Sequence, residues 1–507
     1  MQSENALNPP DITDSSVVDD AARGESKPGL TGQVRRAIFW RTGTQILSQI
    51  ISWTVTLIVI RILNPADYGL YAMAQVMMTF LDFLNGYGFA SALIQQKEVT
   101  RHAIRQALGL QILMNAMMAA MQFAAAPIIA EYYGQPVVAD ILHVLCFIYL
   151  FTPFIIVPEV LLARTLEFKK QAIVGLSAAV VGALVALILA MQGFGVWTLV
   201  FAPLSISCTR AIGLMLAARL RPWPSFNFKG AGHIVNFGLL LMFSHLFWVI
   251  QSQSDVFIAG RLFNPHDIGL YAESLFLTQL VMSKFVPALN QVAFPAYARL
   301  QDDRDALAQG FLNAVRLVTL VTAPIFIGIA ASAAPLVEIL FGHKWIGMVP
   351  MMQMLGLATP FMTVQILFPP VNNAIGRPDL TMKASLAGAL SFPVAFFIGS
   401  RFGIHGLAAA WLLCAPLLLL ATAHIAARGN GIAAMRVLSA AAPAIGTALL
   451  MGAIVHLLGR VMPASLPMAV QLAALVGAGA LSYGVLSILL QRRSLLYAWG
   501  VLRPARG

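Results

Sequence analysis

The sequence predicts an all-α polytopic membrane protein with about 14 transmembrane helices, built as two parallel-repeat six-helix bundles around a central cavity plus two C-terminal helices. Three observations predict this. Of 507 residues, 59% are hydrophobic and only 10% charged, whereas soluble domains carry about 25% charged residues. The apolar residues are gathered into runs of roughly 20, the length an α-helix needs to cross a hydrocarbon core of about 30 Å. Finally, "RILNPADYGLY" (Arg61–Tyr71) returns as "RLFNPHDIGLY" (Arg261–Tyr271), with seven of eleven positions identical.

Residues 1–35 hold Pro9, Pro10, Asp11, Asp14, Asp19, Asp20 and Glu25 with no apolar run. That is the composition of a disordered cytoplasmic tail, and neither a secretory signal nor a transit peptide. Six spans are expected in an N-terminal bundle covering 36–230, near 42–61, 69–93, 105–129, 140–162, 172–191 and 196–217. Six more fall in a second bundle over 231–430, near 234–259, 269–294, 311–334, 349–375, 382–400 and 404–426. Two additional spans, 437–459 and 467–490, occupy 431–490, and 491–507 is a basic cytoplasmic tail. No gap between spans is long enough to house a soluble catalytic domain.

Orientation follows from the cations, which concentrate on the cytoplasmic side. With the N-terminus inside, the outer turns hold five: Arg61, Arg261, Lys344, Arg401 and Arg460. Four fall within or at the edge of helices: Arg41, Arg210, Lys284 and Arg316. The remaining 23 of the 32 lysines and arginines lie in the tails and inner turns, so both termini are expected in the cytoplasm. Topology thus explains the net charge of +11, and no nucleic-acid partner is expected. Arg41, Arg210 and Arg316 stand near inner helix ends, where they can snorkel. Cys146, Cys208 and Cys414 sit in separate apolar segments, so neither a disulfide framework nor a zinc site is suggested. The chain contains no GxxxxGK[ST] phosphate loop and no HExxH zinc motif. No enzyme activity, metal or cofactor is expected.

In the repeated turn, Asn64 suits a helix cap, Pro65 the first helical position, and Asp67 the positive end of the macrodipole. Tyr71 then belongs at interfacial depth. Asn264, Pro265, Asp267 and Tyr271 repeat this grammar. Six spans separate the two copies, an even number, so the two halves share one orientation. Transporters with such paired bundles bind substrate between them and rock one against the other.

Polar residues inside the spans fall into stripes. The first span carries Arg41, Gln45, Ser48, Gln49, Ser52 and Thr56; the second carries Gln75, Thr79, Asp82 and Gly86. The seventh has Ser244, Trp248, Gln251 and Asp255, with His245 and Ser252 beside them, and the eighth has Glu273 and Lys284. Helical spacing places each set on one face. Because a charge at mid-membrane costs at least about 2.5 kcal/mol, a shared aqueous cavity is the economical arrangement, and packing through interhelical hydrogen bonds is the alternative. The expected substrate-binding residues are Arg41, Gln45, Gln49, Asp82, His245, Trp248, Gln251, Asp255, Glu273 and Lys284. The cations suit phosphate oxygens, and the amides and the indole suit sugar hydroxyls and ring faces. Asp82 and Asp255 are the candidates for exchanging protons with a transmembrane gradient.

Along residues 35–425 the segments "RILNPADYGLYAMA", "GFASALIQQKEVT", "ARTLEFKK", "GFGVWTLV", "DVFIAGRLFNPHDIGLY", "FPAYARLQDD", "FGHKW" and "GRPDL" occur in order. In these the chain resembles bacterial polysaccharide flippases, the lipopolysaccharide and exopolysaccharide biosynthesis branch of the MOP exporter superfamily. The resemblance implies a bacterial inner-membrane protein that moves an undecaprenyl-diphosphate-linked oligosaccharide from the cytoplasmic to the periplasmic leaflet. It also implies membrane lipids, a polysaccharide polymerase and export machinery as partners. His266 departs from the acidic or small residue expected there, and the likeness fades after about residue 430. A multidrug or small-metabolite antiporter of the same superfamily is the alternative; a membrane polysaccharide polymerase fits less well, because the loops are short.

Overall fold

The computed structural model describes residues 30–82, 101–165, 167–219, 224–226, 232–463, 465–492 and 495–496. Most of the expected N-terminal tail, the end of the second expected span and the last residues of the basic tail lie outside these. The helices are α1 (Leu30–Ile62), α2 (Pro65–Asp82), α3 (Arg101–Tyr133), α4 (Pro136–Leu145), α5 (Phe147–Arg164), α6 (Phe168–Met191), α7 (Trp197–Ala217), α8 (Gly232–Leu262) and α9 (Pro265–Arg299). They continue as α10 (Arg304–Ala331), α11 (Ala333–Leu340), α12 (Val349–Gln365), α13 (Phe368–Ala374), α14 (Pro378–Gly399), α15 (Ile404–Asn430), α16 (Ala434–Val461) and α17 (Met468–Leu490). Among the described residues there is no strand, as a hydrocarbon environment demands: helices satisfy every backbone group internally. Eleven segments are long and apolar enough to cross a membrane. The other three expected spans correspond to α2, α8 and α9.

Breaks in the helices have local causes. The turn "GFGVW" between α6 and α7 turns on Gly193 and Gly195, both at positive φ, a conformation glycine adopts without steric cost. The expected span 349–375 is two helices because Pro369 lacks an N–H and its ring crowds the carbonyl four residues earlier, at Gln365, where α12 ends.

The chain divides into two compact units, one comprising 1–63 and 80–242, the other 64–79 and 243–507. The first repeated turn thus belongs, by its packing, to the second unit. In the first unit α1 lies along α6, α6 along α7, and α5 against both α3 and α7. Ile206 of α7 sits over Gly182 of α6, and Val174 of α6 over Gly213 of α7, the small-against-large packing that lets membrane helices approach closely.

In the second unit the core joins α10, α12, α13, α15 and α16 through Phe311, Val364, Phe368, Leu419, Val437 and Ala441. The Phe311 and Phe368 rings stand 4.9 Å apart. The C-terminal pair is part of this core: α16 lies along α10 and α17 along α16, with Leu475 of α17 buried in the same cluster. Large side chains such as Leu413, Leu417 and Leu489 are exposed on the outer helical faces, where a bilayer would cover them.

Gly452 of α16 leaves its Cβ space to Ile327 of α10. Gly452→Val overfills that contact and is expected to lower stability by about 1–3 kcal/mol, read as a lower unfolding temperature in detergent; Gly446→Ala, where a Cβ meets open space, should leave it unchanged.

Candidate functional site

The site grows from the repeated turn. Asn264 caps α9: its side-chain oxygen accepts from the Asp267 N–H at 2.9 Å, and its amide donates to the Asp267 carboxylate at 2.9 Å. In the first copy the Asn64 N–H donates to Asp67 Oδ2 at 2.9 Å. Both acidic residues so occupy the positive end of a helix dipole. The two turns meet directly. A Cβ at Gly69 would strike the carbonyl of Pro265, and a Cβ at Gly269 would strike the carbonyl of Pro65. Glycine is required on both sides because the obstacle is backbone, which no rotamer can move aside. Beside this crossing Tyr68 sets its ring edge against buried Trp345 at 5.4 Å, and Phe341 does the same from within "FGHKW" at 5.9 Å.

Two residues past Gly269, the hydroxyl of Tyr271 donates to Asp255 Oδ2 at 2.7 Å. Trp411 Nε1 of α15 donates to the same Oδ2 at 3.1 Å and to the Tyr271 oxygen at 2.8 Å. The Val256 N–H donates to Asp255 Oδ1 at 2.7 Å. Asp255 and Tyr271 are wholly buried and Trp411 nearly so. Phe392 and Phe396 of α14 pack their rings on the indole at 4.6 and 5.3 Å. The carboxyl is therefore held by neutral donors inside an aromatic wall, with no cation among its described partners. A carboxylate stripped of water is costly unless hydrogen-bonded, and each donor here offsets part of that cost.

Asp255 and Tyr271 meet because they stand at similar distances on either side of the Asn264 turn. Subtracting 200 gives their counterparts in the first repeat, Val55 and Tyr71. The aspartate has no equivalent there, so the triad belongs to one half only. Tyr271, expected at an interface, is instead buried, and Trp411 was not anticipated at all.

The other expected residues are distributed as follows. Gln251 of α8 lies over Gly388 of α14, filling the space of its missing side chain, while Trp248 is exposed. The stripe of α8 therefore fans out, with Asp255 directed to α9 and α15. Glu273 is half-buried on α9. In α1, Gln45 and Thr56 are exposed and Gln49 and Ser52 half-buried, so the first unit does not cover this polar stripe. The side chains of Arg41, Asp82, His245 and Lys284 lie outside the described residues. Arg210 of α7 pairs with Glu159 of α5 at 3.0 Å, and Gln171 of α6 donates to the Glu159 carbonyl at 2.7 Å. Arg316 donates to Asn313 at 2.8 Å. Among the described residues no group of three His, Cys, Asp or Glu side chains could hold a metal ion.

The described helices form an all-α, polytopic membrane architecture. The chain is similar to the lipid II flippase MurJ in its inward closed conformation, with a TM-score of 0.69 at 12% identity, over 90% of this chain and 99% of that one. It is similar too to an inward-facing multidrug resistance MATE family transporter of the MOP superfamily, with a TM-score of 0.60 at 14% identity, over 77% of this chain and 94% of the other. Residues 58–350 match the family described as polysaccharide biosynthesis protein, and the chain belongs to that family. The succinoglycan biosynthesis transport protein ExoT of Rhizobium meliloti is 27% identical over 472 residues, 92% of this chain and 94% of that protein. The lipopolysaccharide biosynthesis protein WzxC of Escherichia coli is 22% identical over 356 residues, 70% and 72% of the two chains.

Tyr271→Phe leaves the Asp255 carboxyl short of a donor and should cost about 1–3 kcal/mol of stability, whereas Asp255→Asn keeps an oxygen for Tyr271 and Trp411 but turns its NH2 against the Val256 N–H and should cost more. Denaturant unfolding of the purified variants checks this order, and a Tyr271→Phe protein as stable as wild type would contradict it. Gly269→Ala should destabilise far more than Gly446→Ala in the same measurement, since only the first sets a Cβ against a carbonyl.

Proposed function

We propose that this protein is a secondary transporter that flips undecaprenyl-diphosphate-linked oligosaccharide repeat units from the cytoplasmic to the periplasmic leaflet of the bacterial inner membrane. Movement is by alternating access of the two repeat halves, with both termini in the cytoplasm. The observation that carries this reading is the match to a succinoglycan biosynthesis transport protein along 92% of the chain, within a fold shared with a lipid II flippase. The polar stripe of α1, uncovered in its own unit, supports a hydrated path for the head group. Short loops leave no place for a catalytic domain, which disfavours a polymerase. The polymerase and export machinery remain the proposed downstream partners.

In the same reading, Arg41, Gln45, Gln49, Asp82, His245, Trp248, Gln251, Glu273 and Lys284 are the groups that meet the oligosaccharide diphosphate. Asp255 is assigned to coupling rather than to contact, with Asp82 as the second coupling carboxylate. Its partners support this: among the described residues the one titratable group bonded to Asp255 is Tyr271, from α9, while α15 contributes the Trp411 indole and α14 two phenyl rings. A proton added to this carboxyl changes the charge of an otherwise neutral pocket. The shared fold with a multidrug transporter favours small-molecule antiport as the second reading.

Deleting the gene should abolish surface polymer and leave lipid-linked repeat units on the cytoplasmic leaflet, with no change in drug sensitivity. Normal polymer export by a deletion strain without a redundant flippase would overturn the proposal. Asp255→Asn is expected to fold but to lose the pH dependence of transport; a wild-type pH profile would remove its coupling role.

A further inference from the structure

Asp255 Oδ2 accepts from the Tyr271 hydroxyl at 2.7 Å and from Trp411 Nε1 at 3.1 Å, and Oδ1 accepts from the Val256 N–H at 2.7 Å. A carboxylate offers about four lone-pair positions. Three are taken, which leaves one, on Oδ1. The third oxygen of the network, the Tyr271 hydroxyl, gives its hydrogen to Asp255 and accepts from Trp411 Nε1 at 2.8 Å. Phe392 and Phe396 close the indole side with rings that offer no oxygen. All five of these side chains are at most 2% exposed.

This arrangement separates two kinds of cation. A proton needs a single lone pair, and the open position on Oδ1 supplies it while Oδ2 keeps both of its donors. A metal ion needs several oxygens aimed at one place, and it must shed its water to reach a buried group. Here each oxygen already has a donor hydrogen directed onto it, and that hydrogen carries the same sign of charge as the ion. Among the described residues, the side chains bonded to the carboxyl or stacked on its indole partner are Tyr271, Trp411, Phe392 and Phe396. Of these only the Tyr271 phenol titrates, and none brings a second carboxylate.

Trp411 decides the outcome. The Val256 N–H belongs to the backbone, and Tyr271 stands across the Asn264 turn from Asp255. Trp411 comes from α15, and its single N–H covers Asp255 Oδ2 and the Tyr271 oxygen at once. Without that N–H, a lone pair on each of these two oxygens faces the same vacated place. A carboxylate oxygen beside a hydroxyl oxygen is the beginning of a coordination shell for a hard cation such as sodium, with water completing it.

We propose that Trp411 is an ion-selectivity residue: by holding its N–H across Asp255 Oδ2 and the Tyr271 hydroxyl, it reserves the Asp255 carboxyl for a proton and keeps sodium out. This rests on the coupling role given to Asp255 above, and assigns the choice of ion to α15. Trp411 acts through Asp255, as a positioning residue.

Infrared difference spectroscopy of the purified full-length protein tests this, because protonated Asp255 gives a carboxyl C=O band that Asp255→Asn removes. In wild type the band should titrate at the same pH in sodium chloride and in choline chloride. Trp411→Phe keeps an aromatic ring but has no N–H, so sodium should compete with the proton. Its midpoint should then fall by about one pH unit for each tenfold rise in sodium once the site is filled, with no such fall in choline. A wild-type midpoint that falls with sodium would overturn the proposal. So would a Trp411→Phe midpoint that ignores sodium, or an Asp255 that takes up no proton. If Trp411→Phe does not fold, Trp411→Leu removes the same N–H, and the wild-type comparison of the two salts stands by itself. The titration is read without transport. A proton-selective carboxyl in a protein that moves no lipid-linked oligosaccharide is therefore told apart from a working flippase whose Asp255 binds sodium.

Discussion

Two prolyl carbonyls stand where any side chain at positions 69 and 269 would have to go. A side chain in the way can rotate; a peptide carbonyl cannot move without moving its helix. This contact fixes how the starts of α2 and α9 cross, and much else in the second unit is arranged around it. Tyr68 is brought against Trp345, and Tyr271 is carried inward to its carboxyl partner. The turn repeats because both sides of one crossing need the same small residue after the same capped proline.

The crossing and the buried carboxyl share one rigid helix. Gly269 and Tyr271 are half a turn apart on α9, so whatever alters the hydrogen bond at Asp255 acts beside a position where any side chain would strike a backbone carbonyl. Trp411 extends the connection to α15 and, through Phe392 and Phe396, to α14. A carboxyl gaining a proton exchanges an ionic acceptor for a neutral one, and hydrogen bonds to charged groups are roughly twice as strong as neutral ones. The arrangement thus joins four helices around a single carboxyl. The first repeat, with Val55 in the corresponding place, has no such tie.

Span length and apolarity are properties of contiguous sequence, so the helices and the capped turns could be read directly from it. Asp255 was visible as well, because a carboxylate inside an apolar run always signals itself. Its partners were not. Trp411 lies in "AAAWLLC", where an indole reads as lipid-facing, and nothing local reveals that it turns inward. Tyr271 could have been found by counting, since it and Asp255 flank Asn264 at similar distances, but a capped turn suggested an interfacial ring. The glycines were hidden for another reason: a residue whose role is to be absent from a contact gives no chemical signal.

The function proposed for this protein is the carriage of lipid-linked oligosaccharide across the bilayer. The most direct measurement is flipping by the purified protein in proteoliposomes, following a lipid-linked oligosaccharide with a fluorescent sugar as it becomes accessible to a membrane-impermeant quencher. Protein-dependent quenching well above that of empty liposomes is the expected result. No protein-dependent movement of that lipid, in vesicles where the same protein transports a small cationic drug, would contradict it.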